Sequence, residues 1–266
     1  MLEIYFKRGD LMKVIAFANQ KGGVAKTTTC VNIAGIFAAK RHRTLVVDSD
    51  PQCNATSFLL RDDVHASKTL AAIYEQTLCN DPELIKPTRL HNLFVIPGGF
   101  RLAGMVSEVY SRLRNHERLA MYLTAHATDF DIVLIDCPPD IGIYTLNAFV
   151  AAEHVIVPMI PERLSLEGYK QLQEKIDIVR GMGLSVSILG AIITLFQGAL
   201  GVHKEWKKQI VDGFGDRLLG TIHSAAEIKR TTEMKSLLSE GEKANRAYKE
   251  HLDTALRIGD LIGVKI

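Results

Sequence analysis

The stretch that decides the fold is Lys21-Gly22-Gly23-Val24-Ala25-Lys26-Thr27-Thr28. An apolar run at 14–18 precedes it, and apolar residues with helical spacing follow it at 31–38. A strand, a glycine-rich turn and a helix in this order place backbone N–H groups and a helix N-terminus around a phosphate. The ammonium group of Lys26 can then reach the β- and γ-phosphates, and the Thr27 hydroxyl can bind Mg²⁺. The stretch therefore predicts a phosphate-binding loop over residues 21–28.

The loop departs from the standard pattern G-x-x-x-x-G-K-[ST], since Gln20 and Ala25 stand where that pattern has glycine. A second lysine, Lys21, opens the loop instead, away from the β-phosphate that Lys26 serves. Its side chain can turn back to solvent. It can also reach the phosphates of a nucleotide in a facing subunit, as an arginine finger does in trans. The residues alone leave both interpretations open.

Two further strands end in carboxylates. The apolar segment at 44–47 leads into Asp48 and Asp50, and the apolar segment at 132–135 leads into Asp136. A carboxylate at the C-terminal end of such a strand lies beside the phosphate loop in a doubly wound sheet. We expect Asp136, and also Asp48, to hold Mg²⁺ through water, and Asp50 to orient the attacking water. The alternative for the Asp48–Asp50 segment is an acidic turn that caps the following helix.

Strands and helices alternate along the whole chain without a linker, a repeat or a low-complexity tract. The pattern predicts one α/β domain over 12–266, with a doubly wound, mostly parallel sheet of about seven strands flanked by helices. The predicted strands are 13–18, 44–47, 93–96, 131–136, 155–158, 186–194 and 218–222. The predicted helices are 26–40, 101–127, 165–182, 202–213 and 242–261, and residues 55–90 are expected to be helical. We assign no role to residues 1–11, which form an N-terminal extension.

Composition excludes several other classes of protein. The 266 residues are 47% hydrophobic, which is enough to bury a full core, and the net charge of +2 means that nucleic-acid contacts must come from local patches. The four cysteines are far apart and form no C-x-x-C pair, so a zinc site or a disulfide framework is not expected. No run of 18 apolar residues is present, and we expect no membrane span.

The chain resembles the ParA/Soj family of deviant-Walker ATPases, which partition chromosomes and plasmids and belong to the larger group that includes MinD. The resemblance covers about residues 12–240 and depends on the segments NQKGGVAKTTT (19–29), DSDPQCNAT (48–56), IPGG with LAG (96–104), DCPP (136–139) and LSLEG (164–168). Lys21 matches the signature lysine of that family. The resemblance implies that Lys21 contacts phosphate across an ATP-sandwich homodimer.

The resemblance also implies an activity, cofactors and partners. It implies an ATPase that uses ATP and Mg²⁺ and dimerises when ATP is bound. The dimer would bind DNA without sequence preference, and a ParB-like centromere-binding protein would stimulate hydrolysis. Such a protein is cytoplasmic and associated with the nucleoid. Two segments depart from the family pattern near the adenine and the DNA surface, namely 197–199 and 221–230.

Basic residues late in the chain are the candidates for DNA contact. They are Lys204, Lys207, Lys208, Lys229, Arg230 and Arg246, with Lys243 and Lys249 nearby. Contacts of this kind neutralise phosphates and weaken steeply with salt. The alternative interpretation is a solvated helix face with no ligand.

Four other functions are alternatives for a chain with this pattern. A MinD-like membrane protein ends in a basic amphipathic helix, and the segment 259–266 is too short and too weakly charged for one. A reductase like the nitrogenase iron protein needs two cluster cysteines per subunit, and Cys137 has no clear second ligand. A barely hydrolytic ATP-dependent scaffold and a ParA-like ATPase with a non-DNA cargo both remain open.

Overall fold

The computed structural model describes residues 12–60, 68–76, 79–241 and 245–266. The N-terminal extension at 1–11 and Lys243 lie outside these ranges. Within them, one sheet has eight strands. The strands are β1 (Lys13–Phe17), β2 (Thr44–Asp48), β3 (Lys86–Pro87), β4 (Leu93–Ile96), β5 (Ile132–Asp136), β6 (His154–Met159), β7 (Ser187–Phe196) and β8 (Leu218–His223).

Helices cover both faces of this sheet. They are α1 (Lys26–Ala39), α2 (Asn54–Leu59), α3 (Ala71–Glu75), α4 (Arg101–Gly104), α5 (Val106–Ser111), α6 (Arg118–His126), α7 (Ile143–Ala151), α8 (Arg163–Gly181), α9 (Gly201–Phe214), α10 (Ala226–Glu233) and α11 (Arg246–Ile262). Alternate residues of the central strands enter two separate apolar clusters. One cluster contains side chains of α9, and the other contains side chains of α1, α10 and α11. Because successive side chains of a strand point to opposite faces, these helices lie on opposite sides of the sheet.

The order of the strands places the site. The sheet runs β3-β4-β2-β5-β1-β6-β7-β8, and neighbouring strands are parallel except for the pair β3–β4. The central strand β1 lies between β5 and β6, and β2 lies on the other side of β5. The C-terminal ends of these four parallel strands therefore meet at one edge, where ligands bind in doubly wound sheets. The predicted fold class is confirmed.

Several predicted elements were wrong in detail. The single helix expected over 101–127 is divided into α4, α5 and α6, and the turn between the last two contains Arg114 at φ 56°, which an α-helix cannot contain. Those residues of 55–90 that the structure describes are not mainly helical, because they comprise the short helices α2 and α3, the antiparallel edge strand β3 and the connections between them. The edge strand explains why the sheet has eight strands instead of about seven.

Two helices, α7 and α10, were not predicted as elements. The last helix begins at Arg246, where the side chain of Asn245 caps it by accepting a hydrogen bond of 2.7 Å from the Tyr248 N–H. Its predicted start at 242 lies outside the described residues. Among the helices that are described, none is both long and apolar enough to cross a membrane.

Candidate nucleotide-binding site

The loop between β1 and α1 has the shape of a phosphate cradle. Gly23 has φ 73° and Ala25 has φ 58°, so both residues are left-handed. Glycine adopts this conformation without a steric penalty, whereas alanine does so at a cost of about 1–2 kcal/mol. Ala25 stands where the standard pattern has glycine, and it still takes a glycine-like conformation. Although alanine replaces glycine in the sequence pattern, the backbone of the loop is still left-handed at this residue, directly before α1.

Lys26, the first residue of α1, points into this loop. It is only 7% exposed, and its ammonium group donates a hydrogen bond of 3.2 Å to the carbonyl oxygen of Lys21. Burial lowers the pKa of Lys26, while the negative charge of Asp136 opposes that shift. The nearby carboxylates thus help to keep a buried lysine charged, as a phosphate ligand must be.

Asp136 ends β5 beside this lysine and is fully buried. Within the described part of the chain, neither of its carboxylate oxygens accepts a hydrogen bond of normal geometry. Burial raises the pKa of Asp136 well above its usual value, and the Thr27 hydroxyl and the charge of Lys26 counteract this shift from close by. A buried carboxylate without partners is costly. These residues fit Mg²⁺, a hard cation that takes oxygen ligands.

The acidic side chains near Asp136 do not form a metal site by themselves. In the described ranges, no group of three or more His, Cys, Asp and Glu side chains has the arrangement of a metal site. Mg²⁺ commonly keeps several water ligands and binds through one or two protein oxygens together with substrate phosphates. A site formed by Thr27 and Asp136 is compatible with that mode of binding, which does not need a cage made only of protein ligands.

Asp48, at the end of β2, is engaged by the protein itself. Its Oδ2 accepts hydrogen bonds from the Thr56 N–H at 2.7 Å and the Thr56 hydroxyl at 2.6 Å, and its Oδ1 accepts one of 3.2 Å from the Asp50 N–H. Burial raises the pKa of Asp48 to about 6 against these hydrogen bonds. The geometry thus gives Asp48 a structural role at the start of α2. Its role toward Mg²⁺ stays a prediction.

Asp50 takes the turn-forming role, one of the two that the sequence left open. It is 6% exposed, and its Oδ1 accepts a hydrogen bond of 2.8 Å from the Gln52 N–H in the turn before α2. Burial raises the pKa of Asp50, the charge of Lys26 lowers it, and the charge of Asp140 raises it further. The carboxylate therefore helps to form the turn and lies in the same electrostatic environment as Lys26. Its role in orienting water stays a prediction.

On the other side of the loop, Lys21 forms an ion pair with Glu162, the residue directly before α8. Asn19 fixes the loop on this side. Its Oδ1 accepts a hydrogen bond of 2.9 Å from the Lys21 N–H, and its Nδ2 donates one of 2.7 Å to the Pro158 carbonyl in β6. The sequence pattern predicted no role for Asn19 or Glu162. Asn19 could have been found from its position immediately before the loop, whereas no local pattern marks Glu162.

The far edge of the site is formed where β7 ends. The Thr194 hydroxyl donates a hydrogen bond of 2.9 Å to the Val24 carbonyl in the phosphate loop. The next residue, Leu195, has φ 51°, and the pairing between β7 and β8 is irregular here. The ring of Phe196 then lies 4.9 Å from that of His223. The segment 197–199, which departs from the family pattern, thus follows directly on Phe196, and the other departing segment, 221–230, contains His223.

The candidate DNA-binding residues lie on opposite faces of the sheet. Lys204, Lys207 and Lys208 are on α9, Lys229 and Arg230 are on α10, and Arg246 is on α11. All are exposed except the half-buried Lys207, whose ammonium group lies 4.7 Å from the centre of the Phe196 ring. Arg230 and Arg246 pair with Glu227 and Glu250, at 2.6 Å in each case. The structure does not bring α9 and α10 together into one patch.

Comparison with known proteins agrees with this geometry. A family profile described as an AAA domain matches residues 12–186. The chain is 40% identical over 187 residues to the chromosome partitioning protein ParA of Myxococcus xanthus, a match that covers 69% of the chain and 65% of that protein, just under two thirds of its length. It is 34% identical over 214 residues to the sporulation initiation inhibitor protein Soj of Bacillus subtilis, covering 79% of the chain and 83% of that protein.

Solved structures share the fold. An ATP complex of McdA from Cyanothece superposes with a TM-score of 0.83 at 21% identity, covering 97% of the chain and 99% of that protein. Cobyrinic acid a,c-diamide synthase from Mycobacterium smegmatis, bound to an ATP analogue and magnesium, superposes with a TM-score of 0.72 at 26% identity, covering 93% and 92% respectively. Both of these solved structures contain a bound nucleotide, and the second also contains magnesium.

Proposed function

The chain belongs to the ParA/Soj family of chromosome-partitioning ATPases, and from this we propose that it is a Mg²⁺-dependent ATPase that dimerises with ATP and positions DNA. The observation that carries the proposal is the buried Asp136 carboxylate, which accepts no hydrogen bond of normal geometry from the described residues and lies beside Lys26 and the Thr27 hydroxyl. This is the arrangement that a nucleotide-bound Mg²⁺ completes. Mg²⁺ neutralises charge on the β- and γ-phosphates during phosphoryl transfer.

The groups around the loop would then have separate roles in binding phosphate, binding Mg²⁺ and orienting water. The backbone N–H groups of residues 22–28 cradle the phosphates, and the Lys26 ammonium group contacts the β- and γ-phosphate oxygens. The Thr27 hydroxyl would bind Mg²⁺ directly. The carboxylates of Asp136 and Asp48 would hold it through water. Asp50 orients the attacking water. Its carboxylate is held by the hydrogen bond from the Gln52 N–H in the turn before α2.

Lys21 would act in trans. Its side chain pairs with the partly exposed Glu162, which follows β6, whereas Asp136 ends β5 on the other side of β1. A lysine in this position can reach the phosphates of a nucleotide in a facing subunit, as an arginine finger does. The ATP-bound homodimer is therefore part of the proposed mechanism. The nucleotide would be enclosed between the two subunits.

The proposed cargo is DNA, bound without sequence preference, with hydrolysis stimulated by a ParB-like centromere-binding protein. Support comes from the M. xanthus relative, which is a chromosome partitioning protein, and from the exposed basic residues of α9 and α11. Such a protein would be cytoplasmic and associated with the nucleoid. Neutralising phosphates would supply most of the affinity.

Phosphate release tests the ATPase. The wild-type protein should release phosphate from Mg²⁺·ATP, faster when DNA and the ParB-like partner are added. Asp50→Ala should lower this rate about 100-fold or more, as expected for loss of a group that positions a reactant. Asp129→Ala is the control, because Asp129 is exposed in the turn before β5. Background turnover under all conditions, or an unchanged rate in Asp50→Ala, would contradict the proposal and favour a scaffold.

Dimerisation tests the role of Lys21. Lys21→Ala should bind Mg²⁺·ATP about as well as the wild type does and should not form the ATP-dependent dimer, which light scattering would detect. Lys40→Ala, at an exposed position after α1, is the control and should dimerise normally. Unchanged dimer formation by Lys21→Ala would refute the trans role.

A further inference from the structure

The ion pair between Lys21 and Glu162 joins two parts of the chain that flank the phosphate loop. Lys21 opens the loop after β1, and Glu162 lies between β6 and α8. The strands β1 and β6 are neighbours in the sheet, so their C-terminal ends bring the two residues together. The two side chains are 33% and 36% exposed. The two side chains are therefore partly accessible to solvent.

The main chain of Lys21 is fixed on both sides. Its N–H donates to Asn19, which is itself bonded to the Pro158 carbonyl of β6, and its carbonyl oxygen accepts a hydrogen bond from Lys26. Glu162 is also held, because its N–H donates a hydrogen bond of 2.9 Å to the Ile160 carbonyl and its carbonyl accepts one from the Ser165 N–H. What can still change at this point is the direction of the Lys21 side chain.

A lysine ammonium group is a single point charge on a flexible stem. It cannot stay in close contact with Glu162 of its own subunit and also reach a phosphate held by a facing subunit. We propose that Glu162 is a latch: it holds Lys21 within its own subunit in the nucleotide-free monomer, and ATP-dependent dimerisation must break this pair in both subunits. The proposal rests on the trans role of Lys21 and adds a residue that sets how readily the dimer forms.

The size of the effect follows from the exposure of the pair. A partly exposed ion pair changes an equilibrium constant by about 1.4- to 5-fold. Two pairs are lost for each dimer, so removal of the latch should lower the dissociation constant of the ATP-bound dimer by about 2- to 30-fold. Glu162 is thus a positioning residue that acts through Lys21, and nucleotide affinity of the monomer should not change.

The first measurement tests the latch in the monomer, without nucleotide. Acetic anhydride acylates accessible lysine amines, and mass spectrometry gives the extent of labelling at each lysine. In Glu162→Gln, labelling of Lys21 should rise severalfold, while labelling of Lys40 stays the same. The control is Glu167→Gln on the same helix, because Glu167 is 55% exposed and pairs with Arg163 at 3.4 Å. Equal labelling of Lys21 in the wild type and Glu162→Gln would overturn the proposal.

The second measurement is the dissociation constant of the dimer with Mg²⁺ and a non-hydrolysable ATP analogue, from sedimentation of variants with matching melting temperatures. Glu162→Gln should dimerise more tightly than the wild type, and Glu167→Gln should not differ from it. An unchanged or weaker dimer in Glu162→Gln overturns the latch while the proposed function stands, provided that Lys21→Ala fails to dimerise. If Lys21→Ala dimerises normally, the trans role fails and the latch fails with it.

Discussion

The hydroxyl group of Thr56 donates a hydrogen bond of 2.6 Å to the Asp48 carboxylate, and both residues are buried. The same hydroxyl accepts a hydrogen bond of 2.8 Å from the Gly98 N–H. Gly98 approaches so closely that a Cβ there would lie 3.0 Å from the Asp48 Cγ. One threonine thus connects the end of β2, the helix α2 and the turn after β4, and it stabilises a charged group beside the phosphate loop.

Loss of the Thr56 hydroxyl should destabilise the protein. A hydrogen bond to a charged group contributes about 1.5–3 kcal/mol, and Thr56→Val removes it without a large change of volume. We expect the free energy of unfolding to fall by about that amount in chemical denaturation. The control is Thr124→Val, whose hydroxyl donates only to the Ala120 carbonyl one turn earlier in α6. Equal losses in the two variants would contradict a special role for the Asp48 contact.

Much of the site could be predicted from sequence because its signals are local. A glycine-rich stretch between an apolar strand and a helix specifies the loop, and strand-end carboxylates specify Asp48, Asp50 and Asp136. The parallel sheet then brings these strand ends to one edge, whatever the details of the surrounding loops. Gly98-Gly99 illustrates the limit of this approach. From sequence this pair could form a second phosphate loop, but the absence of a following lysine favours a plain connection from strand to helix. In the structure the two glycines pack closely against Asp48 and Thr69.

Other parts of the site depend on contacts between distant segments. Glu162 meets Lys21 only because β6 lies next to β1, and Thr194 meets Val24 only because β7 ends at the loop. The prediction of one long helix at 101–127 was wrong for another reason. Its apolar spacing is helical on both sides of Arg114, and the left-handed residue that divides it carries no Gly or Pro signal. Local propensity therefore could not show the break.

The Asp136 carboxylate should matter for Mg²⁺ and little for the nucleotide alone. Asp136→Asn removes the negative charge from a buried group without hydrogen-bond partners in the described structure. We expect the Mg²⁺-dependent part of ATP affinity to fall about 10- to 100-fold, with ATP binding in EDTA unchanged or stronger. Isothermal titration calorimetry with and without Mg²⁺ would measure both.

Asp131→Asn is the matched control for this experiment. Asp131 lies just before the other end of β5, where its half-exposed carboxylate accepts a hydrogen bond of 2.7 Å from the Arg43 N–H. It should leave the Mg²⁺ dependence of ATP binding unchanged. An identical Mg²⁺ dependence in the wild type and Asp136→Asn would refute the assignment of Asp136 as a metal residue.

Charge reversal on α9 should weaken DNA binding and its dependence on salt. Lys207→Glu with Lys208→Glu should lower the affinity for an arbitrary duplex, because each lost phosphate contact reduces the slope of log K against log salt by about 0.9. Fluorescence anisotropy with an ATP analogue at several salt concentrations gives this slope. The control is Lys170→Glu with Lys175→Glu, two exposed positions on α8. An unchanged slope in the α9 variant would move the DNA surface to another face.

His251 makes the stability of the fold depend on pH. It is 1% exposed in α11, its Nδ1 lies 2.7 Å from the Ala247 carbonyl oxygen, and burial lowers its pKa to about 4. In the unfolded chain, histidine has a pKa of about 6.5. As pH falls below this value, the unfolded chain binds the proton first, so stability is lost progressively until about pH 4, where the folded protein also takes up the proton.

The contribution of His251 should be measurable between pH 7 and pH 5. Over this interval the two pKa values predict a loss of about 2 kcal/mol in the free energy of unfolding from His251 alone. His251→Asn keeps a donor near the Ala247 carbonyl and does not titrate, so its stability should fall by about 2 kcal/mol less than that of the wild type over the same interval. His91→Asn, at an exposed turn before β4, should follow the wild type. Because buried carboxylates such as Asp48 and Asp136 are shared by all three proteins, their titration cancels in the comparison. Equal pH dependence in the wild type and His251→Asn would show that His251 takes up its proton equally in the folded and unfolded states.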